Sequence, residues 1–319
     1  MAKVRRFRLK KKYRIILFRF LLLVLLIFGL CKGISTYKYH RTNEYKLLQI
    51  GYTLKEANQI ESKLSDKEVK ELIAEESKDE DVLELVYEKY FMDKNYEAYK
   101  DFYHKNKDES WKDIVALVNV GAYREHYKDM KETDTSKGIL MLVNKYNALS
   151  PDYTPKSIKT FSSTYSYGEV KADEECYNAF IKMADAAKKD GITLILTSGY
   201  RSNQRQEEIY MEMRNTNGKI YADSYAARPG SSEHETGLAL DIFTYSATTE
   251  NFEKTDTYKW LIKNSYKYGF IRRYEERKAA ITGYKPESWH FRYLGVDMAK
   301  KVYEEGITYD EYYAFYLDK

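Results

Sequence analysis

The stretch Ser232-Glu233-His234-Glu235-Thr236-Gly237-Leu238-Ala239-Leu240-Asp241, followed downstream by Glu287-Ser288-Trp289-His290, constrains this chain more than any other. Read as extended chain, Gly237, Ala239 and Asp241 share one face, and Leu238, Leu240 and Ile242 share the other. The small residues clear space around Asp241, while the aliphatic ones face a core. The same parity puts His290 and Arg292 on one face of a second strand and packs Trp289, Phe291 and Tyr293 on the opposite one.

Two imidazoles and a carboxylate delivered in this way suit zinc. Three ligands, His234, Asp241 and His290, leave a fourth tetrahedral position open, which separates a catalytic site from a closed structural one. Peptide cleavage also needs a base for the water and an acid for the leaving amine. Glu287 is the candidate, because Pro286 interrupts any strand before it and predicts Glu287 on a turn beside the metal. Glu233 and Glu235 are its rivals. A single histidine is ordinarily a core or surface residue, and His40, His104 and His126 are read so. Five fixed positions (Ser, His, Gly, Ala, Asp) coincide by chance on the order of once in a few million windows at average usage, so the paired blocks carry more weight.

These residues resemble zinc D,D-carboxypeptidases of the VanY type, within a fold family that also holds lysostaphin-like, D-Ala-D-Ala and hedgehog domains. The resemblance runs over roughly residues 140–316. A third block fits it: Ser198-Gly199-Tyr200-Arg201-Ser202-Asn203-Gln204-Arg205-Gln206, placed at a strand end and opening a helix that Ser202 can cap. Ile281-Thr282-Gly283-Tyr284 and Arg292-Tyr293-Leu294-Gly295 also look like the family's approach to its last ligand. The resemblance implies that Arg201 stabilises the oxyanion, a place where the chemistry independently asks for a cation. It implies too that Gln206 and Ser232, with Tyr200, hold a terminal D-alanine and its carboxylate.

The implied activity removes D-alanine from peptidoglycan stem peptides, with one zinc ion in the catalytic domain. The motifs are similar in enzymes cutting between two D-alanines and in those removing D-alanine from the preceding diamino acid. An endopeptidase and a zinc-containing module that only binds wall peptides are the alternatives. Gln206 and Ser232 speak against the first, and Glu287 with Arg201 against the second.

Before this region the chain reads differently. Lys3, Arg5, Arg6, Arg8, Lys10, Lys11, Lys12 and Arg14 precede an apolar run from Ile15 to Cys31 broken only by Arg19. This predicts a basic cytoplasmic segment (1–14) and an uncleaved transmembrane anchor (15–34), with the rest of the chain extracellular. A cleaved signal peptide is the alternative, and the lack of small-x-small spacing in Leu30-Cys31-Lys32-Gly33 speaks against it. Of 53 Lys and Arg those eight lie in the first 14 residues, leaving 45 against 49 acids, so nucleic acid is excluded as a partner. The two cysteines, Cys31 and Cys176, form no disulfide framework.

Residues 35–132 read as a helical juxtamembrane region of packing character, with capping boxes at Thr53/Glu56 and Ser65/Glu68. An apolar stripe runs through Leu54, Ala57, Ile60 and Leu64, and a second rhythm through Val82, Leu85, Val86 and Lys89. Within the expected catalytic domain (133–319), the stretch Thr133–Tyr167, with Asn144-Lys145-Tyr146, Pro151 and Pro155, reads as a link. A helix over 173–189, a strand over Ile192–Thr197 and a helix within 250–269 ending at Gly269 follow. The fold class expected is α+β: an anchor, helices, and a small antiparallel sheet flanked by helices.

Overall fold

The computed structural model describes residues 11–245 and 247–318. The basic residues Lys3 to Lys10 lie outside them. The chain divides into two compact units, one running through Tyr96 and the other from Glu97.

The first unit opens with helix α1 (Lys11–Tyr39), 29 residues long and therefore about 43 Å. It is long and apolar enough to cross a membrane. Four short helices follow: α2 (Asn43–Gln49), α3 (Leu54–Lys63), α4 (Asp66–Ala74) and α5 (Glu80–Tyr87). Both capping boxes form: Thr53 accepts from the Glu56 amide while the Glu56 carboxylate accepts from the Thr53 amide, and Ser65 and Glu68 repeat the exchange. Ala57, Ile60 and Leu64 are buried as the stripe predicts, but Leu54, the first residue of α3, is exposed. Lys89 falls outside the second rhythm, because α5 ends at Tyr87.

In the second unit, α6 (Tyr96–Lys105, its first residue closing the other unit) and α7 (Trp111–Val120) precede two minor sheets. One pairs β1 (Lys131–Glu132) with β2 (Asn147–Ala148), the other β3 (Ile158–Thr160) with β4 (Lys171–Asp173). Helix α8 (Glu174–Lys189) shows why this sequence folds locally as it does. Asp173 caps its first turn by accepting from the Glu175 amide, acids sit at its start and Lys188 and Lys189 at its end, matching the helix dipole. Cys176, Phe180, Met183, Ala184 and Ala187 recur at helical spacing and form its buried face. Both cysteines are free, and burial pushes the Cys176 thiol pKa up.

The main sheet has the order β5 (Ile195–Ser198), β6 (Ala239–Phe243), β8 (Glu287–Tyr293), β7 (Phe270–Tyr274), all antiparallel. One face packs Leu196, Leu240, Ile242 and Phe291 against Phe180 and Met183 of α8. Each fully buried side chain of this size contributes about 1.5–3 kcal/mol. The sheet is flanked by α9 (Asn203–Asn217), α10 (Lys219–Tyr225), α11 (Asp256–Asn264), α12 (Ala279–Thr282), α13 (Val296–Glu305) and α14 (Tyr309–Tyr312). The α+β class expected from the sequence is the one observed. The helix expected within 250–269 is broken into α11 and two single turns, and Gly269 stops it in the left-handed conformation.

Candidate active site

Pairing in the main sheet sets Asp241 directly opposite His290. Such neighbours stand about 4.5–5.5 Å apart at Cβ and on one face. His234 reaches the same point from a single turn, Glu233–Thr236, just before β6. Its Nδ1 lies 2.7 Å from the Gly199 carbonyl, which can only accept, so Nδ1 carries the proton and Nε2 offers a lone pair. A Cβ on residue 199 would collide with the Lys171 carbonyl, so glycine is required where the chain passes. His290 has the reverse arrangement: Nε2–H donates to Glu233 Oε2 at 3.2 Å, leaving Nδ1 toward Asp241.

Asp241 Oδ1 is buried without a hydrogen-bond partner among the described residues, 3.5 Å from His234 Nε2 and 3.3 Å from His290 Nδ1. A tetrahedral ion with bonds of about 2.0–2.2 Å needs ligand atoms about 3.3–3.6 Å apart. The orphaned oxygen and the two lone pairs therefore fit zinc, and the three donor atoms lie within 4.8 Å of one another.

Charge in the site follows from burial and neighbours. Burial and the Arg201 cation lower the His234 pKa to about 4, so this ring is neutral at physiological pH. Asp241 stays well below the usual carboxylate range, because the two imidazoles outweigh the cost of burying it. Burial disfavours the His290 cation, yet the carboxylates of Asp241 and Glu233 at its two nitrogens prevail and raise its pKa to about 9. A metal must then displace a proton from His290 below pH 9. Metal affinity is expected to rise about tenfold per pH unit from pH 6 to 9. Competition against a chromogenic chelator measures it, and a flat profile would remove His290 from the ligand set.

A cleft opens on this centre, lined by Arg201, Gln206, Ser232, His234, Asp241, Glu287 and His290 among the expected residues. Tyr200 is not among its lining; the Tyr200 amide is spent on the Lys171 carbonyl. Arg201 Nη1 donates to Gln206 Oε1 at 2.8 Å, and Gln206 Nε2 to the Ala227 carbonyl at 2.8 Å, so Gln206 holds Arg201 with one end and the wall with the other. Arg201 Nε is buried with no hydrogen-bond partner among the described residues. Ser202 caps α9 by accepting from the Arg205 amide, as expected.

Glu287 opens β8 and does not sit on a turn. It pairs with Tyr274 across an irregularity in the register between β7 and β8, which breaks the alternation that the turn was invoked to avoid. Its Oε2 lies 3.6 Å from His290 Nδ1, and burial raises its pKa to about 7. Among the described residues no side chain hydrogen-bonds its carboxylate. The rivals are engaged: Glu235 accepts from the Gly230 and Ser232 amides and Asn203, and Glu233 from Arg273, Arg292 and His290.

The sequence reading did not find Tyr225, Ile209, Met213 and Tyr274, which also line the cleft, nor the buried Arg273 and Asp310 behind it. None stands in a spaced pattern with the ligands, and only the fold brings them there.

Residues 169–296 match the model of the VanY family, D-alanyl-D-alanine carboxypeptidase. YodJ of Bacillus subtilis (strain 168) is 38% identical over 202 residues, covering 59% of this chain and 74% of YodJ. A D-alanyl-D-alanine carboxypeptidase of Enterococcus faecalis is 35% identical over 57% of this chain and 68% of its own. Among solved structures, the LdcB LD-carboxypeptidase aligns with a TM-score of 0.56 and 37% identity over 60% of this chain and 92% of that one. A fold and site of this kind define an enzyme of the carboxypeptidase class. This chain belongs to the VanY family.

Proposed function

We propose that the chain is a membrane-anchored zinc carboxypeptidase that removes the C-terminal D-alanine from peptidoglycan stem peptides. The observation that carries this reading is an unengaged carboxylate, Glu287, beside three converging donor atoms, with the free Nε of a buried Arg201 in the same cleft. His234, Asp241 and His290 would hold the zinc. When bound, zinc supplies Lewis acidity toward water and toward the scissile carbonyl. Glu287 takes the proton of the attacking water on its carboxylate and delivers it to the departing amino group. Arg201 faces the developing oxyanion, Gln206 fixes the direction of its guanidinium, and Ser232 contacts the terminal residue.

In this reading residues 133–319 are the catalytic domain, residues 35–132 lead to it from the anchor at 15–34 as a helical juxtamembrane region whose α6 and α7 share the compact unit that begins at Glu97, and the catalytic domain acts outside the cell. The relatives include enzymes named for both D-Ala-D-Ala and LD-carboxypeptidase activity.

The test incubates the full chain in detergent with zinc and synthetic tetra- and pentapeptides, and weighs the products. Loss of one D-alanine, stopped by chelation and restored by zinc, is expected. Release of di- or tripeptides would make the enzyme an endopeptidase, and bound zinc without turnover would make it a binding module.

A further inference from the structure

Lys145 is 2% exposed, and among the described residues its ammonium meets no carboxylate at hydrogen-bond distance. It donates to the Asp223 carbonyl at 2.6 Å and to the Gly283 carbonyl, and stands 4.3 Å from the centre of the Tyr284 ring. Burying an ammonium is costly, and burial lowers its pKa to about 8. A methionine of the same length would fill the space without that cost, so packing alone does not explain a lysine here.

The two carbonyls belong to different walls of the catalytic cleft. Asp223 lies in α10, whose end leads into the cleft-lining Tyr225, Ala226 and Ala227. Gly283 caps α12 and leads into Tyr284 and Glu287, which also line the cleft. Beyond Lys145 the walls are joined by the Lys285 amide donating to the Ser224 carbonyl at 3.1 Å. Gly283 has φ +76°, and a Cβ there would stand 2.9 Å from Lys145 Cδ and 3.1 Å from His126 Nε2, so the turn closes on the lysine stem and on the His126 ring.

We infer that Lys145 is a positioning residue for the carboxypeptidase reaction: it straps the α10 wall to the Tyr284–Glu287 wall, and so sets the width of the cleft and the place of the base. This rests on the proposed function for what enters the cleft. The donor centre is held separately, by Gly199 behind His234 and Glu233 behind His290. Loss of the strap therefore spares the metal and loosens Tyr284 and Glu287. A misplacement of about 1 Å in a catalytic group costs on the order of a hundredfold in rate.

The experiment compares the full-length protein with Lys145→Met and Gly283→Ala. It reads zinc affinity, kcat and KM on stem peptides, and hydrogen–deuterium exchange. Both variants are expected to keep zinc affinity within about twofold, to lose about 10- to 100-fold in kcat/KM with kcat lowered and KM raised, and to exchange faster in 219–228 and 279–287 but not in 239–243. Unchanged kinetics, or loss of zinc in step with activity, would overturn the strap. If Lys145→Met does not fold, Gly283→Ala decides alone. A wild-type protein that binds zinc but cleaves no stem peptide would refute the substrate reading, and the exchange data would still judge the strap.

Discussion

Replacing Glu287 with alanine is expected to lower kcat by about 10²- to 10⁴-fold while the protein still takes up one zinc ion. The two halves of this result separate a base from a ligand. Glu287 stands near the donor centre, its Oε2 3.6 Å from His290 Nδ1, but it is not one of the three converging donors. Its place at the start of β8 leaves the strand pairing that delivers His290 intact. Single-turnover kinetics with zinc titration checks both halves. Loss of zinc in Glu287→Ala would make this residue a ligand. Full activity would pass the proton transfer to another group.

Glu287→Gln makes the comparison sharper. Glutamine preserves the shape but cannot accept a proton, so it should be nearly as slow as alanine. Removal of the buried charge should also slightly stabilise the fold. The carboxyl's raised pKa means the folded state disfavours its charged form, a cost that is absent below the ordinary pKa of 4.5 and grows as pH rises toward about 7.

Two of the three donors were legible in the sequence because they lie on strands, where a side-chain period of two turns a linear spacing into a face; His234 stands on the single turn before β6 and was read from the motif alone. Asp241 and His290 needed only that parity and an antiparallel pairing to meet. The α8 boundaries and the capping boxes were equally local, since their signals lie within one turn of the residues they act on. Glu287 stands beside the donor centre through a register irregularity against β7, which is invisible in one strand's sequence, and not through the turn that Pro286 predicts. Leu54 failed because a periodic stripe predicts a face without predicting how far its neighbours extend. Lys145, Arg273 and Asp310 were illegible as site residues because their roles rest on contacts between segments far apart in the chain, and a single buried lysine or arginine carries no pattern.

The contacts behind His290 yield the second large effect: Glu233→Ala is expected to destabilise the protein by about 3–5 kcal/mol. Glu233 is fully enclosed, and its Oε1 accepts from Arg273 Nε at 2.8 Å and Arg292 Nη1 at 3.0 Å. Arg273 is paired also with Asp310, and Asn144 donates to that carboxylate at 2.8 Å. Among the described residues Arg292 otherwise donates to the carbonyls of Ile139, Met141 and Tyr293 and lies 5.7 Å from the centre of the Tyr309 ring, with no second carboxylate. Two guanidinium groups and two carboxylates thus balance without solvent, and removing Glu233 leaves a buried positive charge uncompensated. The two arginines outweigh the burial penalty and hold the Glu233 pKa well below its ordinary value of 4.5. The stabilisation is therefore fully present above about pH 4.5 and lost only in stronger acid. Because Glu233 also fixes the tautomer of His290, zinc affinity should fall about 10- to 100-fold in the same variant. Glu233→Gln, which keeps an acceptor but no charge, should lie between the two proteins. Thermal unfolding with and without zinc measures both effects. A melting temperature within about 2 °C of wild type would show that solvent, and not Glu233, compensates the arginines.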